Sequence, residues 1–416
     1  MNTFRFKKNW RSYATVAGLL ITSYLFVSKY WLSTEAPNRN IQAAKHKNVR
    51  NLEAIRKLNF DRSPISGVVE NKKETITKKA RLSYKFRAKR AFKRKRKARK
   101  PSRAVVFAGK RNRRRERPLH SFKYERVLRE YTPRIDWSYF NNRNKILNNH
   151  SISFNIRPTW VGNEHPYLII MVLSQTLYHR TTIRQTYGSV AHGQNWPGSN
   201  LTLNIKMIFV FGDTGSKAHD AILKEESKIY GDILQGNFSD SYKNLTLKVL
   251  TGLKYVAEYF PDTQYVLKAD DDTFTDVDRL VRLLSKLQPV NTVLGFIHKF
   301  SVVKRRGQWG LSRTVYPFPL YPQYAAGNTY VLTMDYVKCV LKNAKFFPYM
   351  FIEDAFITGI MCVLCNGTQY HVEGFTHWKE RAASPKSFLD GKRISGNRVK
   401  DEIKHEIWDQ LLDLYG

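Results

Sequence analysis

From residue 151 to the end of the chain, strand patterns alternate with helical patterns, and this order limits the chain to a few folds. Residues 167–173 and 205–211 are nearly continuous apolar runs, as expected of strands covered on both faces of a parallel sheet. Residues 242–260 and 277–287 carry apolar side chains at helical spacing. This order predicts one α/β domain over residues 151–416, built on a parallel sheet with helices on both faces.

Three consecutive aspartates, Asp270, Asp271 and Asp272, follow a short apolar run at residues 265–267. Ligands in such sheets bind outside the carboxyl ends of the strands, which is where this triplet falls. Adjacent carboxylates repel one another, so a cluster of them is favoured where a hard divalent cation neutralises it. The triplet predicts a Mn²⁺ or Mg²⁺ site that can hold a diphosphate. The simpler alternative is a solvated turn in which Asp272 or Thr273 caps the next helix.

Two basic segments lie near the predicted strand ends. Arg180 and Arg184 are one helical turn apart, so both could face one phosphate, or they could form an exposed basic helix face. Residues 240–248 begin with an aspartate and end with a lysine. Taken alone, that segment is an N-cap followed by an ordinary amphipathic helix.

Two further segments carry aromatic and acidic groups. Residues 321–332 form an aromatic, glycine-containing turn that leads into a strand, and such a turn either stacks on a sugar or packs internally. Glu353 and Asp354 follow an apolar pair and are candidates for a general base, with a helix N-cap as the simpler interpretation.

In this order and spacing the segments resemble the β-1,3-galactosyltransferase family, over residues 167–377. The matching positions are Arg180, Ile183, Arg184, Thr186, Asp240, Ser241, Tyr242, Asn244, Leu245, Thr246, Lys248, Asp270, Asp271, Asp272, Tyr321, Pro322, Tyr324, Gly327, Tyr330, Val331, Glu353 and Asp354. Tyr187 stands where the family usually has Trp, Thr329 replaces a glycine, and Ala355 replaces Val. One extra residue also precedes Gly359. These departures concern substrate identity more than reaction class.

The resemblance implies a GT-A-like nucleotide-diphospho-sugar transferase fold, a Rossmann-like mixed sheet flanked by helices. It implies inverting, metal-dependent transfer of galactose or N-acetylglucosamine from a UDP-sugar to a glycan through a β-1,3 linkage, with N-acetylgalactosamine left open as a donor sugar. The resemblance implies that Asp354 is the general base. It implies metal ligands at Asp270, Asp272 and His377, with His371 as the alternative to His377. The implied contacts to the nucleotide sugar are Arg180, Arg184, Lys268, Asp270 and Asp271, and the implied contacts to the acceptor are Tyr321, Tyr324 and Glu353.

The N-terminal third has a different composition. Residues 1–12 form a short basic tail, and residues 13–32 form an apolar run followed by interfacial aromatics, which predicts an uncleaved membrane anchor. Of the formal net charge of +37, residues 72–117 contribute +21, from 23 Lys and Arg against two Glu. A block of like charges with little apolar content does not fold, so residues 33–150 are predicted to be a largely disordered basic stem.

Flanking charges do not orient the anchor, so the argument depends on N-glycosylation motifs. These lie at Asn149, Asn200, Asn237, Asn244 and Asn366. Together they favour a lumenal C-terminal domain and a type II protein, which is also the arrangement of Golgi glycosyltransferases.

The chain has three cysteines, which allow one disulfide and leave one thiol. A zinc site formed by the cysteines with His371 is the weaker alternative, since only one Cys-x-x-Cys pair is present. The cysteines are Cys339, Cys362 and Cys365.

Two other classes of protein are considered. The basic stem could bind nucleic acid or another polyanion, but it contains no recognition module, and a membrane anchor with lumenal glycans would keep it away from nucleic acid. The stem could still bind an acidic glycan or an acidic protein, because such a partner is compatible with a membrane anchor and with lumenal glycans. A lectin-like relative without activity is disfavoured by the intact triplet and Asp354.

Overall fold

A computed structural model of the chain describes residues 122–141, 143–160, 164–200, 202–377 and 383–416. These residues form a mixed α/β fold around a nine-stranded sheet with the order β1-β10-β8-β9-β6-β3-β4-β5-β2. The strands are β1 Tyr124–Val127, β2 Phe154–Ile156, β3 Leu168–Leu173, β4 Ile205–Asp213, β5 Ile233–Ser239, β6 Tyr265–Asp270, β7 Phe274–Thr275, β8 Thr292–His298, β9 Tyr324–Thr333, β10 Thr368–Val372 and β11 Ser395–Gly396.

The helices pack on both faces of the sheet. They are α1 Leu177–Gln185, α2 Lys217–Tyr230, α3 Leu245–Tyr259, α4 Val277–Leu287, α5 Met334–Asn343, α6 Met361–Leu364, α7 Pro385–Leu389 and α8 Asp401–Tyr415, with a π-helix at Ala355–Ile360 between α5 and α6. Every residue of β3 is buried, because alternate side chains enter two separate apolar clusters, one on each face. This burial explains the continuous apolar run in its sequence.

The predicted elements are present, and their geometry differs from the prediction in three ways. α4 spans the predicted residues, whereas α3 is preceded by a 3₁₀ turn at Tyr242–Asn244. The sheet is mixed, which confirms what the resemblance implies, and it is not parallel throughout as the order of strands and helices predicts: β6 pairs in parallel with β3 but antiparallel with β9. β6 also extends to Asp270, so the first aspartate of the triplet is part of the strand.

The predicted boundary between stem and catalytic domain at residue 151 is wrong. β1 pairs antiparallel with β10, and the 3₁₀ turn Trp137–Phe140 places Phe140 in the core. The predicted stem therefore contributes an edge strand and core side chains from about residue 122 onward. The local sequence does not reveal this because the partner of β1 lies more than 200 residues away in the chain.

One disulfide joins Cys339 in α5 to Cys365 after α6, and Cys362 is a buried free thiol. The disulfide takes two of the three cysteines that a zinc site would have required. The alternative of a zinc site with His371 is therefore wrong.

The predicted tail, membrane anchor and basic block, at residues 1–12, 13–32 and 72–117, lie outside the described residues. None of the helices in the described part of the chain is both long and apolar enough to cross a membrane.

Candidate active site

The aspartate triplet begins at the carboxyl end of β6, beside the end of β3. The carboxylate of Asp271 accepts hydrogen bonds from the backbone N–H of Gln175 at 2.9 Å and the hydroxyl of Ser174 at 3.2 Å. Asp271 therefore joins the two strand ends. The side chain of Asp270 is 39% exposed and Asp272 is half-buried. Asp270 and Asp272 are thus placed to present oxygen atoms to a ligand.

The triplet is electrostatically suited to a cation. Burial, opposed by Lys268 and aided by the neighbouring aspartates, raises the pKa of Asp270 to about 6. Burial and the charge of Asp271 also raise the pKa of Asp272. Carboxylates whose charge is this poorly compensated are stabilised by a divalent cation, and oxygen donors are those that Mn²⁺ and Mg²⁺ prefer. The donor chemistry of Asp270 and Asp272 therefore fits the metal that the resemblance implies.

The ammonium group of Lys268 connects three segments of the site. It lies 2.7 Å from Oδ1 of Asp270 and 3.3 Å from Oε1 of Glu353, and it donates to the backbone carbonyl of Gly327. Although burial opposes it, the charges of Asp270 and Glu353 raise the pKa of Lys268. Lys268 is thus turned into the protein, where it joins the metal strand to the aromatic turn and the acidic segment.

Asp354 is held at the N-terminal end of the π-helix. Its Oδ1 accepts a 2.8 Å hydrogen bond from the backbone N–H of Ala355. A Cβ atom on Gly327 would lie 2.9 Å from Oδ2 of Asp354, so only glycine leaves room for this carboxylate. Burial raises the pKa of Asp354. A fixed carboxylate with a raised pKa is suited to general base catalysis.

The predicted acceptor contacts are mostly internal. Glu353 is 2% exposed, and its Oε2 accepts a 2.8 Å hydrogen bond from the Tyr330 hydroxyl. Burial raises the pKa of Glu353 to about 7. Tyr321 is also buried and stacks on Tyr316, with ring centroids 5.4 Å apart, whereas Tyr324 is half-buried. Of the three, only Tyr324 presents part of its surface to solvent.

Two exposed aromatic residues near the base were not predicted as acceptor contacts. Tyr242 is 43% exposed and Trp309 is 49% exposed, and the Trp309 Nε1–H donates to the Tyr242 hydroxyl at 2.7 Å. Burial raises the pKa of Tyr242, Trp309 opposes the rise, and the charge of Asp354 adds to it. Tyr242 therefore lies on the same side of the molecule as the candidate base. Tyr242 is one of the positions that match the family, whereas Trp309 lies outside the predicted segments.

The two arginines of the first motif form a buried ion-pair network. Arg180 makes two hydrogen bonds to Glu226, with its Nε 2.7 Å from Oε1, and Arg184 makes two to Asp232, both 2.7 Å long. Arg184 also lies 2.8 Å from Glu226. The structure therefore places both guanidinium groups between α1 and α2, facing carboxylates of the protein.

The segment at residues 240–248 ties together the ends of β3 and β4. The buried ammonium group of Lys248 lies 2.9 Å from Asp240 and donates to the Ser174 carbonyl at 3.0 Å. Asp240 also accepts a 3.0 Å hydrogen bond from the N–H of Gly212. These contacts hold Ser174, which itself contacts Asp271.

A second set of residues behind the triplet was missed. Lys404, in α8, is fully buried; it donates to the backbone carbonyl of Asp271 and lies 2.9 Å from Asp401. The other oxygen of Asp401 lies 2.6 Å from Nδ1 of His179 in α1. The only sequence signal was the Asp-x-x-Lys spacing at the start of a helix, which an exposed ion pair would produce equally well.

The histidines proposed as a third metal ligand cluster around Phe296 in β8. The ring centroid of His377 lies 4.3 Å from that of Phe296, and His371 lies 4.8 Å from it. Nδ1 of His371 accepts a 3.1 Å hydrogen bond from the N–H of Ile297. Within the described ranges, no three His, Cys, Asp or Glu side chains are grouped so as to hold a metal ion. His377 therefore does not complete such a group with Asp270 and Asp272 in this conformation.

Four of the candidate glycosylation sites are exposed, at Asn149, Asn200, Asn237 and Asn366. Asn244 differs, because it is half-buried and its Nδ2 donates a 2.8 Å hydrogen bond to the Ser239 carbonyl.

The family model and the relatives found by sequence comparison agree with each other. The galactosyltransferase family model matches residues 178–372. β-1,3-Galactosyltransferase 1 of Mus musculus is 27% identical over 305 residues, which cover 71% of this chain and 90% of that protein. β-1,3-Galactosyltransferase 5 of Homo sapiens is 33% identical over 199 residues, which cover 46% of this chain and 61% of that protein.

Solved structures show more distant similarity. A glycosyltransferase involved in glycosylation of the major capsid of PBCV-1 aligns with a TM-score of 0.23 and 14% identity, over 42% of this chain and 62% of that chain. A galactosyltransferase in complex with donor and acceptor sugar analogues aligns with a TM-score of 0.26 and 12% identity, over 58% of this chain and 95% of that chain. The sequence matches identify a glycosyltransferase: residues 178–372 match the galactosyltransferase family model, and the chain is similar to β-1,3-galactosyltransferases.

Proposed function

We propose that the chain is an inverting, metal-dependent hexosyltransferase with a GT-A-like fold, which moves galactose or N-acetylglucosamine from a UDP-sugar to a glycan through a β-1,3 linkage. The observation that carries the proposal is the position of Lys268, which contacts Asp270, Glu353 and the Gly327 carbonyl together. Asp354 follows Glu353 directly and packs against Gly327. These contacts support the proposal because they connect the strand of the candidate metal ligands to the segment that carries the candidate base.

On the donor side, the carboxylates of Asp270 and Asp272 would hold Mn²⁺ or Mg²⁺. Such an ion neutralises the diphosphate and stabilises the charge that develops as UDP departs. A third protein ligand is not required, because these ions commonly keep water and phosphate oxygens in their coordination shell. Asp271 and Lys268 support the two ligands from within the protein.

On the acceptor side, Asp354 would take the proton from the acceptor hydroxyl. The oxygen then forms a bond to the anomeric carbon of the sugar, while the bond from that carbon to the diphosphate oxygen breaks and its electron pair leaves with UDP. A single displacement inverts the anomeric configuration, so an α-linked donor gives a β-linked product. One base is sufficient and no covalent intermediate forms.

We also propose that the protein is a Golgi type II membrane protein whose catalytic domain is lumenal. The support is the apolar sequence at residues 13–32 and the four exposed glycosylation motifs. The stem, with its charge of +21 at residues 72–117, would bind an acidic glycan or an acidic protein. Endoglycosidase treatment and protease protection in sealed microsomes test the orientation, and digestion of the catalytic domain without detergent would contradict it.

The activity is tested with the full chain purified in detergent, supplied with UDP-galactose or UDP-N-acetylglucosamine, Mn²⁺ and a panel of glycan acceptors. Asp354→Asn should lower the transfer rate by about two to four orders of magnitude, the usual contribution of a positioned base. Its UDP–Mn²⁺ affinity should not change, because a neutral amide of similar size leaves the diphosphate site intact.

The matched variant Asp272→Asn should lose Mn²⁺-dependent UDP binding and turnover together. Asp413→Asn changes an exposed aspartate in α8 in the same way and serves as control. If Asp354→Asn keeps near-normal turnover, the base is another residue. If UDP binding is the same with Mn²⁺ and with a chelator, the metal assignment is wrong.

A further inference from the structure

The C-terminal segment of the chain contacts the backbone of the aspartate triplet directly. The ammonium group of Lys404 donates to the Asp271 carbonyl, and the N–H of Val399 donates to the Asp272 carbonyl at 2.8 Å. β11, in the same segment, pairs with β7 immediately after the triplet. Two consecutive carbonyls of the triplet are therefore held by Val399 and Lys404, which lie beyond the end of the family match at residue 372.

Lys404 is itself held by a chain of contacts that reaches α1. It lies 2.9 Å from one oxygen of Asp401, and the other oxygen of Asp401 lies 2.6 Å from Nδ1 of His179. Lys404 and Asp401 are both buried, so their interaction is little screened by solvent. The ammonium group has few alternative positions, because moving it would leave a buried carboxylate unpaired.

A charged donor on the Asp271 carbonyl fixes the plane of the peptide group between Asp271 and Asp272. Rotation of that peptide group would redirect the Asp272 side chain, while Asp270, two residues earlier, is held by the β6 ladder and by Lys268. Groups that orient metal ligands in this way typically change metal affinity by about 10- to 100-fold when removed.

We propose that Lys404 is a positioning residue for the donor site, which holds the Asp271–Asp272 peptide group so that the Asp272 carboxylate faces the divalent cation and the diphosphate. The proposal rests on the function proposed above. It also makes the C-terminal helix α8, outside the matched domain, part of the donor site.

The test measures Mn²⁺-dependent UDP binding by calorimetry on the full chain, with acceptor KM measured alongside. Lys404→Met should weaken UDP–Mn²⁺ affinity by about 10- to 100-fold, with acceptor KM unchanged. Lys400→Met, at the exposed residue that directly precedes α8, is the matched control and should behave as the wild type.

Lys404→Met leaves the buried carboxylate of Asp401 without its lysine partner and could therefore misfold. A second variant distinguishes misfolding from the loss of the hydrogen-bond donor. Asp401→Asn with Lys404→Met removes both charges and should fold, yet it should keep the affinity loss because the Asp271 carbonyl still lacks its donor. Asp401→Asn alone retains the Lys404 donor, so its UDP–Mn²⁺ affinity should fall less than that of the double variant.

The outcomes separate this inference from the proposed function. If the wild type shows no Mn²⁺-dependent UDP binding, the proposed donor site fails. If the wild type binds and the folded double variant binds equally well, Lys404 has only a structural role and the inference fails. A parallel loss of acceptor affinity and donor affinity in the double variant would also overturn it, because a general disturbance of the fold would then explain the data.

Discussion

Trp309 and Tyr242 are joined by a 2.7 Å hydrogen bond from the indole N–H to the phenol oxygen, although 67 residues separate them in the chain. The bond links the loop between β8 and β9 to the 3₁₀ turn before α3. Both rings are about half exposed, and Tyr242 lies near enough to Asp354 for its phenol to be affected by that charge. We propose that this exposed pair contacts the glycan acceptor.

Trp309→Ala should therefore raise the acceptor KM by about tenfold and leave UDP–Mn²⁺ affinity unchanged, because an aromatic contact contributes about 0.5–1.5 kcal/mol. Tyr242→Phe keeps the ring and should have a smaller effect. Val302→Ala, at another exposed position of the same loop, is the control. An equal loss of donor and acceptor affinity in Trp309→Ala would count against an acceptor role.

Gly327→Ala should lower the transfer rate by about 10- to 100-fold, because the added methyl group displaces the Asp354 carboxylate that it would meet at 2.9 Å. Gly295→Ala in β8 is a matched control, since its nearest neighbour would be at 3.4 Å, an ordinary contact. Single-turnover rates at saturating donor measure the effect. A normal rate in Gly327→Ala would show that Asp354 tolerates the displacement or is not the base.

Glu353 should make folding stability depend on pH. Its pKa is raised from 4.5 to about 7 by burial, so the protonated form is favoured in the folded state. The stability this contributes is present below the unfolded-state pKa and is lost as the pH rises to about 7. In urea titrations without metal, wild-type stability should fall more steeply between pH 4.5 and 7 than that of Glu353→Gln, which cannot titrate at this position. Identical slopes would contradict the raised pKa.

Removing the disulfide with Cys339→Ser and Cys365→Ser together should lower the free energy of unfolding by about 3–4 kcal/mol, as expected for a loop of 26 residues. A reductant should lower the melting temperature of the wild type but not that of the double variant. Cys362→Ala keeps the disulfide, so the reductant should still lower the melting temperature of this variant. A double variant as stable as the wild type would show that the bridge does not stabilise the fold.

The sequence predicted features that depend on local pattern. The spacing of the apolar residues in α4 predicted the first and last residues of that helix. The apolar residues before Asp270 predicted that the triplet lies at the end of a strand. It did not predict features made by distant partners. The pairing of Arg184 with Asp232 spans 48 residues, and the contact of Lys404 with Asp271 spans 133. Such contacts depend on how the elements pack together, and no periodicity in one segment records them.

The π-helix after Asp354 explains how the chain accommodates a difference in length. A π-helix holds one more residue in a turn than an α-helix, and the acidic segment has one residue more than the family's motif before Gly359. The added residue widens the turn at Ala355–Ile360, so Asp354 keeps its place beside Gly327 while Gly359 still packs against Tyr324. The wider turn thus takes up one residue more than an α-helical turn would, while the contacts at both of its ends are kept.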